Sequence, residues 1–192
     1  MQIGLFFGSF NPIHIGHLLI AQYLLNETNL QQVWMVVSPH NPLKEKSTLA
    51  KDYNRLHLVR LATEDNPRIK VSDIEFSLPK PSYTVDTLEH LKEKYPEHQF
   101  SLIMGGDNLV SLNKWKNYEI ILRDYPILVY KRSVPAAQWQ GSQKAKISYL
   151  DVPLLDISST RIREMLKQGK SIQYMVPDKV YEEIITLNMY KA

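Results

Sequence analysis

Cysteine is missing from this chain of 192 residues. Its absence excludes a disulfide framework, a thiolate zinc site and a cysteine nucleophile, and it suits a reducing cytoplasm. Long apolar runs are missing too: none approaches the roughly 18–20 residues that a membrane helix requires. The opening Met1-Gln2-Ile3-Gly4-Leu5-Phe6-Phe7 has no basic region ahead of its apolar residues, so no signal peptide is expected. Charge of one sign is scarce. The formal net charge is only +3. Residues 1–96 carry 10 basic and 10 acidic side chains, and residues 97–192 carry 13 and 10. No basic run is dense enough to follow a nucleic-acid polymer, and a small anionic ligand fits better. Glycine occurs only seven times, yet Gly4, Gly8 and Gly16 fall in the first sixteen residues and Gly105-Gly106 form a pair.

What is present is ordinary globular material, with 44% apolar and 22% charged residues. This excludes disorder, collagen and coiled coil, and the length fits one domain over 1–192. Strand and helix patterns alternate along it. Residues 2–7 form a continuous apolar run ending at Gly8, which predicts a strand buried on both faces. A helix is expected from Gly16 to Thr28, and then a strand over Val33–Val37. Asp52 is expected to cap a helix over 53–64 whose inward residues are Leu56, Val59, Leu61 and Ala62. Ile69–Val71 and Ile74–Phe76 read as short strands. Val85, Leu88 and Leu91 place a helix over 84–95, ended by Pro96. Phe100–Met104 and Ile127–Tyr130 read as strands, with a helical turn over 118–122 between them. Helices over 159–167, stopped by Gly169, and over 178–189 form a small C-terminal helical part. Repeated strand-then-helix units predict an α/β fold with a mostly parallel sheet and helices on both faces. Ligands in such sheets bind beyond the carboxyl ends of the strands, here after residues 7, 37, 104 and 130. The long polar loops over 39–51 and 132–146 are expected to be functional or mobile. No long exposed apolar stripe marks an oligomer interface.

Two motifs fall at such places. After the first strand the chain reads Gly8-Ser9-Phe10-Asn11-Pro12-Ile13-His14-Ile15-Gly16-His17. A glycine at the strand end leaves room for a turn or a ligand, and the helix that follows offers its amides and dipole to an anion. The composition would produce H-x-G-H by chance only about 0.007 times, so two merely exposed histidines are a poor account of it. Neither the dinucleotide fingerprint nor the P-loop is present. The second motif is Ile157-Ser158-Ser159-Thr160-Arg161-Ile162-Arg163. Hydroxyls open a helix, and arginines follow one turn in. This fits a plain N-cap, and it fits a second phosphate site; the two readings do not exclude each other.

Together these segments resemble the nucleotidyltransferase superfamily built on a Rossmann-like sheet, and within it the bacterial nicotinate-nucleotide adenylyltransferases. The resemblance spans nearly the whole chain. It includes Ser38-Pro39-His40-Asn41-Pro42-Leu43-Lys44, Pro81-Ser82-Tyr83-Thr84-Val85-Asp86-Thr87-Leu88, and Met104-Gly105-Gly106-Asp107-Asn108-Leu109 followed by Trp115. Class I aminoacyl-tRNA synthetases share His-Ile-Gly-His, but their K-M-S-K-S is missing here. The resemblance implies transfer of the adenylyl group of ATP to nicotinate mononucleotide, with release of pyrophosphate. It implies that His14 and His17 contact the ATP phosphates while Ser159, Thr160 and Arg163 hold the β/γ end. The remaining ATP contacts are expected from Gly8, Ser9, Phe10, Gly16 and Lys44. The acceptor side is expected at Tyr83, Thr84, Asp86, Gly106, Asp107, Trp115 and Lys116, with Trp115 against the pyridine ring. Mg²⁺ is expected to bridge the phosphates, with no protein side chain as its ligand.

Several of these residues have structural alternatives. Lys44 fits a solvated loop lysine and Trp115 a core anchor. Asp107 fits a helix cap, Thr84 an N-cap and Asp86 a dipole-favoured acid. His57, His90 and His98 lie away from strand ends and receive no role. The chemistry itself asks for little. A nucleotide 5′-phosphate has a second pKa of about 6 and is its own nucleophile at neutral pH. Alignment and charge stabilisation remain to be supplied, and His17 is the expected donor to the α-phosphate. The rival readings are adenylyl transfer to phosphopantetheine or nicotinamide mononucleotide, and a non-catalytic ATP or NAD sensor. The intact histidines and Ser-Ser-Thr-x-x-Arg stretch argue against the sensor.

Overall fold

The computed structural model describes residues 1–39, 49–130, 145–153 and 155–191. His40, Lys44 and most of both long loops lie outside them. Six strands, all parallel, form one sheet in the order β3-β2-β1-β4-β5-β6. They are β1 (Gln2–Gly8), β2 (Gln32–Val37), β3 (Ile69–Ser72), β4 (Gln99–Gly105), β5 (Ile127–Tyr130) and β6 (Ile147–Leu150). The helices are α1 (Ile15–Glu27), α2 (Asp52–Thr63), α3 (Thr84–Lys94), α4 (Gly106–Val110), α5 (Tyr118–Asp124), α6 (Ser159–Lys167) and α7 (Asp178–Thr186). The strand order reverses between β1 and β4, so a crevice opens beyond Gly8 and Gly105.

The sheet is covered on both faces because its central strands are apolar on both. Successive side chains point to opposite faces. Ile3 and Leu5 pack with Leu88, Leu91 and Ile121, under α3 and α5. Phe6 packs on the other side with Leu24, Leu56, Ile162 and Ile184, under α1, α2, α6 and α7. Ile103 joins Phe6 on that side, while Leu102 and Met104 join Leu5. The C-terminal helices therefore share the core of the sheet. Gly169 ends α6 in the left-handed region at φ 68, as a helix stop requires.

The structure departs from the sequence expectations in four places. Ile74–Phe76 is a turn of 3-10 helix, not a strand. β6 was not expected; its four residues are half-buried or exposed and carry no apolar alternation. The last helix stops at Thr186, and Asn188 and Tyr190 follow in the left-handed region. In α2 the inward residues are Arg55, Leu56, Leu58, Val59 and Thr63, whereas Leu61 and Ala62 are half-buried. Asp52 does not cap this helix. Lys51 stands at the cap without a side-chain bond, and Asp52 accepts from Arg55 inside the first turn.

Ile162 is fully buried in the core that α6 shares with the sheet. Ile162→Ala is expected to lower stability by about 2–5 kcal/mol in urea unfolding. A single shifted transition is expected; two separated transitions, one of them unshifted, would contradict a shared core.

Candidate active site

The first motif forms a tight loop between β1 and α1. A methyl added at Gly8 would meet the Phe10 ring at 2.8 Å, and one at Gly16 would meet His14 Nδ1 at 3.0 Å. The glycines thus make room for neighbouring side chains of the same loop. The left-handed residue is Phe10, at φ 43, and not a glycine. Such a φ is costly for a bulky residue and must be held by its surroundings. Phe10 is 2% exposed and packs edge-on against Phe6 and His17, with ring centroids 5.9 and 5.1 Å away.

His14 is the N-cap of α1, and its backbone N–H donates to His17 Nδ1 at 3.3 Å. The two imidazoles stack with centroids 3.7 Å apart. Ring against ring, they present their edges together at the helix N-terminus. Two amides there are already engaged: Ile15 N–H donates to Met175 O and His17 N–H to His14 O, each at 3.0 Å.

The second motif meets the first directly. Ser159 Oγ donates to Pro12 O at 2.9 Å, and Arg163 Nη1 donates to Asn11 O at 2.8 Å. Arg163 Nη2 also reaches Thr160 Oγ1, at 3.4 Å. The cap of α6 is Ser158, whose hydroxyl accepts from Arg161 N–H at 3.2 Å. Capping and site building are therefore divided among adjacent hydroxyls. Arg161 faces outward towards Glu164.

Two cavities open along the crevice. The larger, about 620 Å³, is lined by Ser9, Phe10, His14, Gly16, His17, Asp107, Ser159, Thr160 and Arg163. The smaller, about 130 Å³, is lined by Gly8, Glu75, Ser82, Tyr83, Thr84, Lys114, Trp115 and Lys116. Phe7, Ile103, Met104 and Asn108 belong to both walls, so the cavities meet at the ends of β1 and β4. Asp107 borders the larger cavity beside the histidines, and Gly8 the smaller beside Tyr83 and Trp115. Gly106 and Asp86 line neither. Asp86 pairs with Lys116 at 2.9 Å, and the Lys116 ammonium lies 4.9 Å from the Tyr83 ring centre. Thr84 opens α3, but Tyr83 is its N-cap residue. Trp115 is half-buried, packs against the apolar layer under α3 and α5, and keeps its indole N–H buried with no partner among the described residues. It is anchor and cavity wall at once.

Arg55 and Glu75 carry the site and were not anticipated. Arg55 is 0% exposed. Its Nε donates to Ala50 O, Nη1 to Ser9 O and Ser38 O, and Nη2 to Pro39 O and Asp52 Oδ1. All five guanidinium hydrogens are used. Glu75 is 2% exposed in the wall of the smaller cavity, and burial pushes its pKa up against the pull of hydroxyl donors. The signal for Arg55 was a charge on the inward stripe of α2. Glu75, read as part of a strand, gave none.

Among the described residues no group of three or more His, Asp or Glu gathers as a metal-ligand set. The larger cavity offers cationic and hydroxyl groups to phosphates, with Asp107 and Asp156 in its wall.

An all-parallel sheet whose reversal point joins stacked histidines, helix-opening hydroxyls and an arginine around one crevice defines a nucleotidyltransferase. The chain belongs to the cytidylyltransferase-like family, whose profile matches residues 5–165. A probable nicotinate-nucleotide adenylyltransferase of Flavobacterium johnsoniae is 57% identical over 192 residues, the full length of both chains. One from Cytophaga hutchinsonii is 48% identical over 190 residues, 99% of this chain and 98% of that one. The Plasmodium falciparum nicotinic acid mononucleotide adenylyltransferase, solved in complex with NaAD, superposes with a TM-score of 0.81 over 98% of this chain and 97% of that chain. At 21% identity that likeness is one of fold.

Arg55→Met leaves the buried carbonyl of Pro39 and the part-buried carbonyls of Ser9, Ser38 and Ala50 without this donor. A loss of at least about 3 kcal/mol is expected in urea unfolding. Arg55→Lys, with three donors and no planar fork, is expected to restore only part of it. A loss under about 1 kcal/mol in Arg55→Met would show that the carbonyls find other donors.

Proposed function

We infer that this enzyme transfers the adenylyl group of ATP to the 5′-phosphate of nicotinate mononucleotide, giving the deamido-NAD dinucleotide and pyrophosphate. The observation that carries the reading is the pair of cavities with a common wall at the ends of β1 and β4. One is lined by histidines, hydroxyls and an arginine suited to phosphates, and the other is narrow, walled in part by Phe7, Tyr83 and Trp115, and bordered by two lysines. The relatives named above act as support for the acceptor.

ATP occupies the larger cavity in this reading. It enters with Mg²⁺ carried on its phosphates, a hard cation suited to oxygen ligands that supplies charge neutralisation there. His14 and His17 face the α-phosphate, and Ser159, Thr160 and Arg163 hold the β/γ end. Ser9, Phe10 and Gly16 complete the wall, and Lys44 is proposed to add a cation from the 39–51 loop. The mononucleotide enters the smaller cavity, its ring against Trp115 and beside Tyr83 and Thr84. Lys114 and Lys116 favour a ring carrying a carboxylate over its amide. Asp107, at the border with the larger cavity, is placed to meet a ribose hydroxyl.

The acceptor phosphate is already dianionic at neutral pH. One of its oxygens forms a bond to the α-phosphorus while the bond to the bridging oxygen of pyrophosphate breaks. No proton must leave the nucleophile, so no general base is required. Catalysis then consists of aligning two anions and stabilising charge on the α-phosphoryl oxygens. His17 is fixed for that task by the His14 backbone N–H on Nδ1, which turns Nε2 to the cavity as a donor. We place the reaction in the cytoplasm, where ATP is available. Among the described residues no helix is long and apolar enough to cross a membrane.

A panel of acceptors with ATP, read by pyrophosphate release, tests the reading. Nicotinate mononucleotide is expected to be used best; preference for phosphopantetheine, or no release with any acceptor, would overturn it. His17→Ala is expected to lower kcat at least about tenfold, roughly 1.4 kcal/mol of transition-state stabilisation. A smaller loss removes His17 from the chemical step.

A further inference from the structure

Glu75 takes no part in the mechanism above, yet its carboxylate is buried in the wall of the smaller cavity. Three hydroxyls donate to it. Ser82 Oγ reaches Oε2 at 3.1 Å, Thr87 Oγ1 reaches Oε1 at 3.0 Å, and the Ser38 side chain is the third donor. Among the described residues no Lys or Arg pairs with it, although Lys114 and Lys116 line the same cavity. A carboxylate held away from water without a cation is expensive unless its hydrogen bonds are well made.

The three donors come from three places. Ser38 follows β2, Ser82 lies in the loop before α3, and Thr87 sits in the first turn of α3. Between Phe76 and Thr84 the chain has neither helix nor strand, and yet it carries Ser82 and Tyr83 into the cavity wall. Its other side-chain ties are exposed or only part-buried: Lys80 with Asp52, Lys116 over the Tyr83 ring, Ser77 Oγ to Ile74 O at 2.9 Å and Thr87 Oγ1 to Tyr83 O at 3.3 Å. Glu75 is the buried tie. Ser38 also joins the two halves of the site, since its hydroxyl goes to Glu75 while its carbonyl takes Arg55.

We propose that Glu75 is the positioning residue of the acceptor pocket: by holding Ser82 and Thr87 it fixes the 82–84 turn, and so sets affinity for the mononucleotide and not for ATP. This rests on the assignment of the smaller cavity to the acceptor. A misplaced turn weakens acceptor binding without touching the phosphate groups of the other cavity. Gln at this position keeps one carbonyl oxygen, and the hydroxyls can rotate to accept from its amide. Ala removes the carboxylate from all three hydroxyls and leaves Thr87 Oγ1 only its longer bond to Tyr83 O, at 3.3 Å.

Steady-state pyrophosphate release with ATP and nicotinate mononucleotide is measured for wild type, Glu75→Ala, Glu75→Gln and Thr87→Val. In Glu75→Ala the KM for the mononucleotide is expected to rise about tenfold or more, with the KM for ATP within about twofold. Thr87→Val, which keeps the branched shape and loses one donor, is expected to move the same constant less far. Glu75→Gln is expected to stay within about threefold of wild type. Equal rises in both KM values would overturn the proposal, as would an unchanged acceptor KM in Thr87→Val or a Gln variant as weak as Ala. Thr87→Val decides the matter if Glu75→Ala does not fold. The wild-type arm tests the acceptor assignment itself: an enzyme that ignores nicotinate mononucleotide loses that assignment before any variant is compared.

Discussion

The Arg55 guanidinium is fully buried, and each of its five hydrogens has an oxygen to meet. Those oxygens belong to the Gly8–Pro12 loop, to the chain leaving β2, and to the entry of α2. Apart from Gly8 at the end of β1 and Asp52 in the first turn of α2, these segments lie outside the strands and helices that would orient their carbonyls. The guanidinium supplies that order from beneath. Its planar fork sets the relative distance of Ser9 and Ser38, the residues that leave the two neighbouring strands β1 and β2. Phe10 can then sit at a left-handed φ, because the chain on either side of it is fixed.

From that fixed loop the wall of the larger cavity grows outward. Asn11 and Pro12 present carbonyls to Arg163 and Ser159, and these bonds bring α6 against the start of α1. A guanidinium that binds a backbone carbonyl retains donors for a phosphate, and it is already held in place when the phosphate arrives. The wall of the smaller cavity grows from Ser38 through Glu75 to Ser82 and Thr87. The two sides are built by opposite charges. A buried cation gathers carbonyls for one, and a buried anion gathers hydroxyls for the other.

Much of this could be read from the sequence. β1 is a continuous apolar run because both its faces are covered, and H-x-G-H follows it at the reversal point of the sheet. The Ser-Ser-Thr-x-x-Arg stretch pointed to a helix start, and the helix is there. The alternation of elements gave the layers on both faces. The rest was hidden for physical reasons. β6 is a four-residue edge strand with one side open, so burial imposes no pattern on it. Ile74 and Phe76 are apolar residues two apart, which a strand and a 3-10 turn at the sheet edge share equally. Arg55 and Glu75 escape composition arguments because a charge buried among backbone oxygens or hydroxyls looks, in sequence, like one exposed to water. The division of labour among Ser158, Ser159 and Thr160 needs coordinates too, since any of the three could cap.

The bond from Ser159 to Pro12 joins residues 147 positions apart, and that from Arg163 to Asn11 joins residues 152 apart. β1 pairs on one side with β4 and so waits for residues 99–105. During synthesis on a ribosome the histidine loop therefore emerges well before the residues that complete it. A growing chain that has reached α5 holds both histidines and the residues that line the smaller cavity, but not Ser159 and Arg163. The larger cavity is in this way tied to the arrival of α6, and a product that ends before it carries the motif without the site.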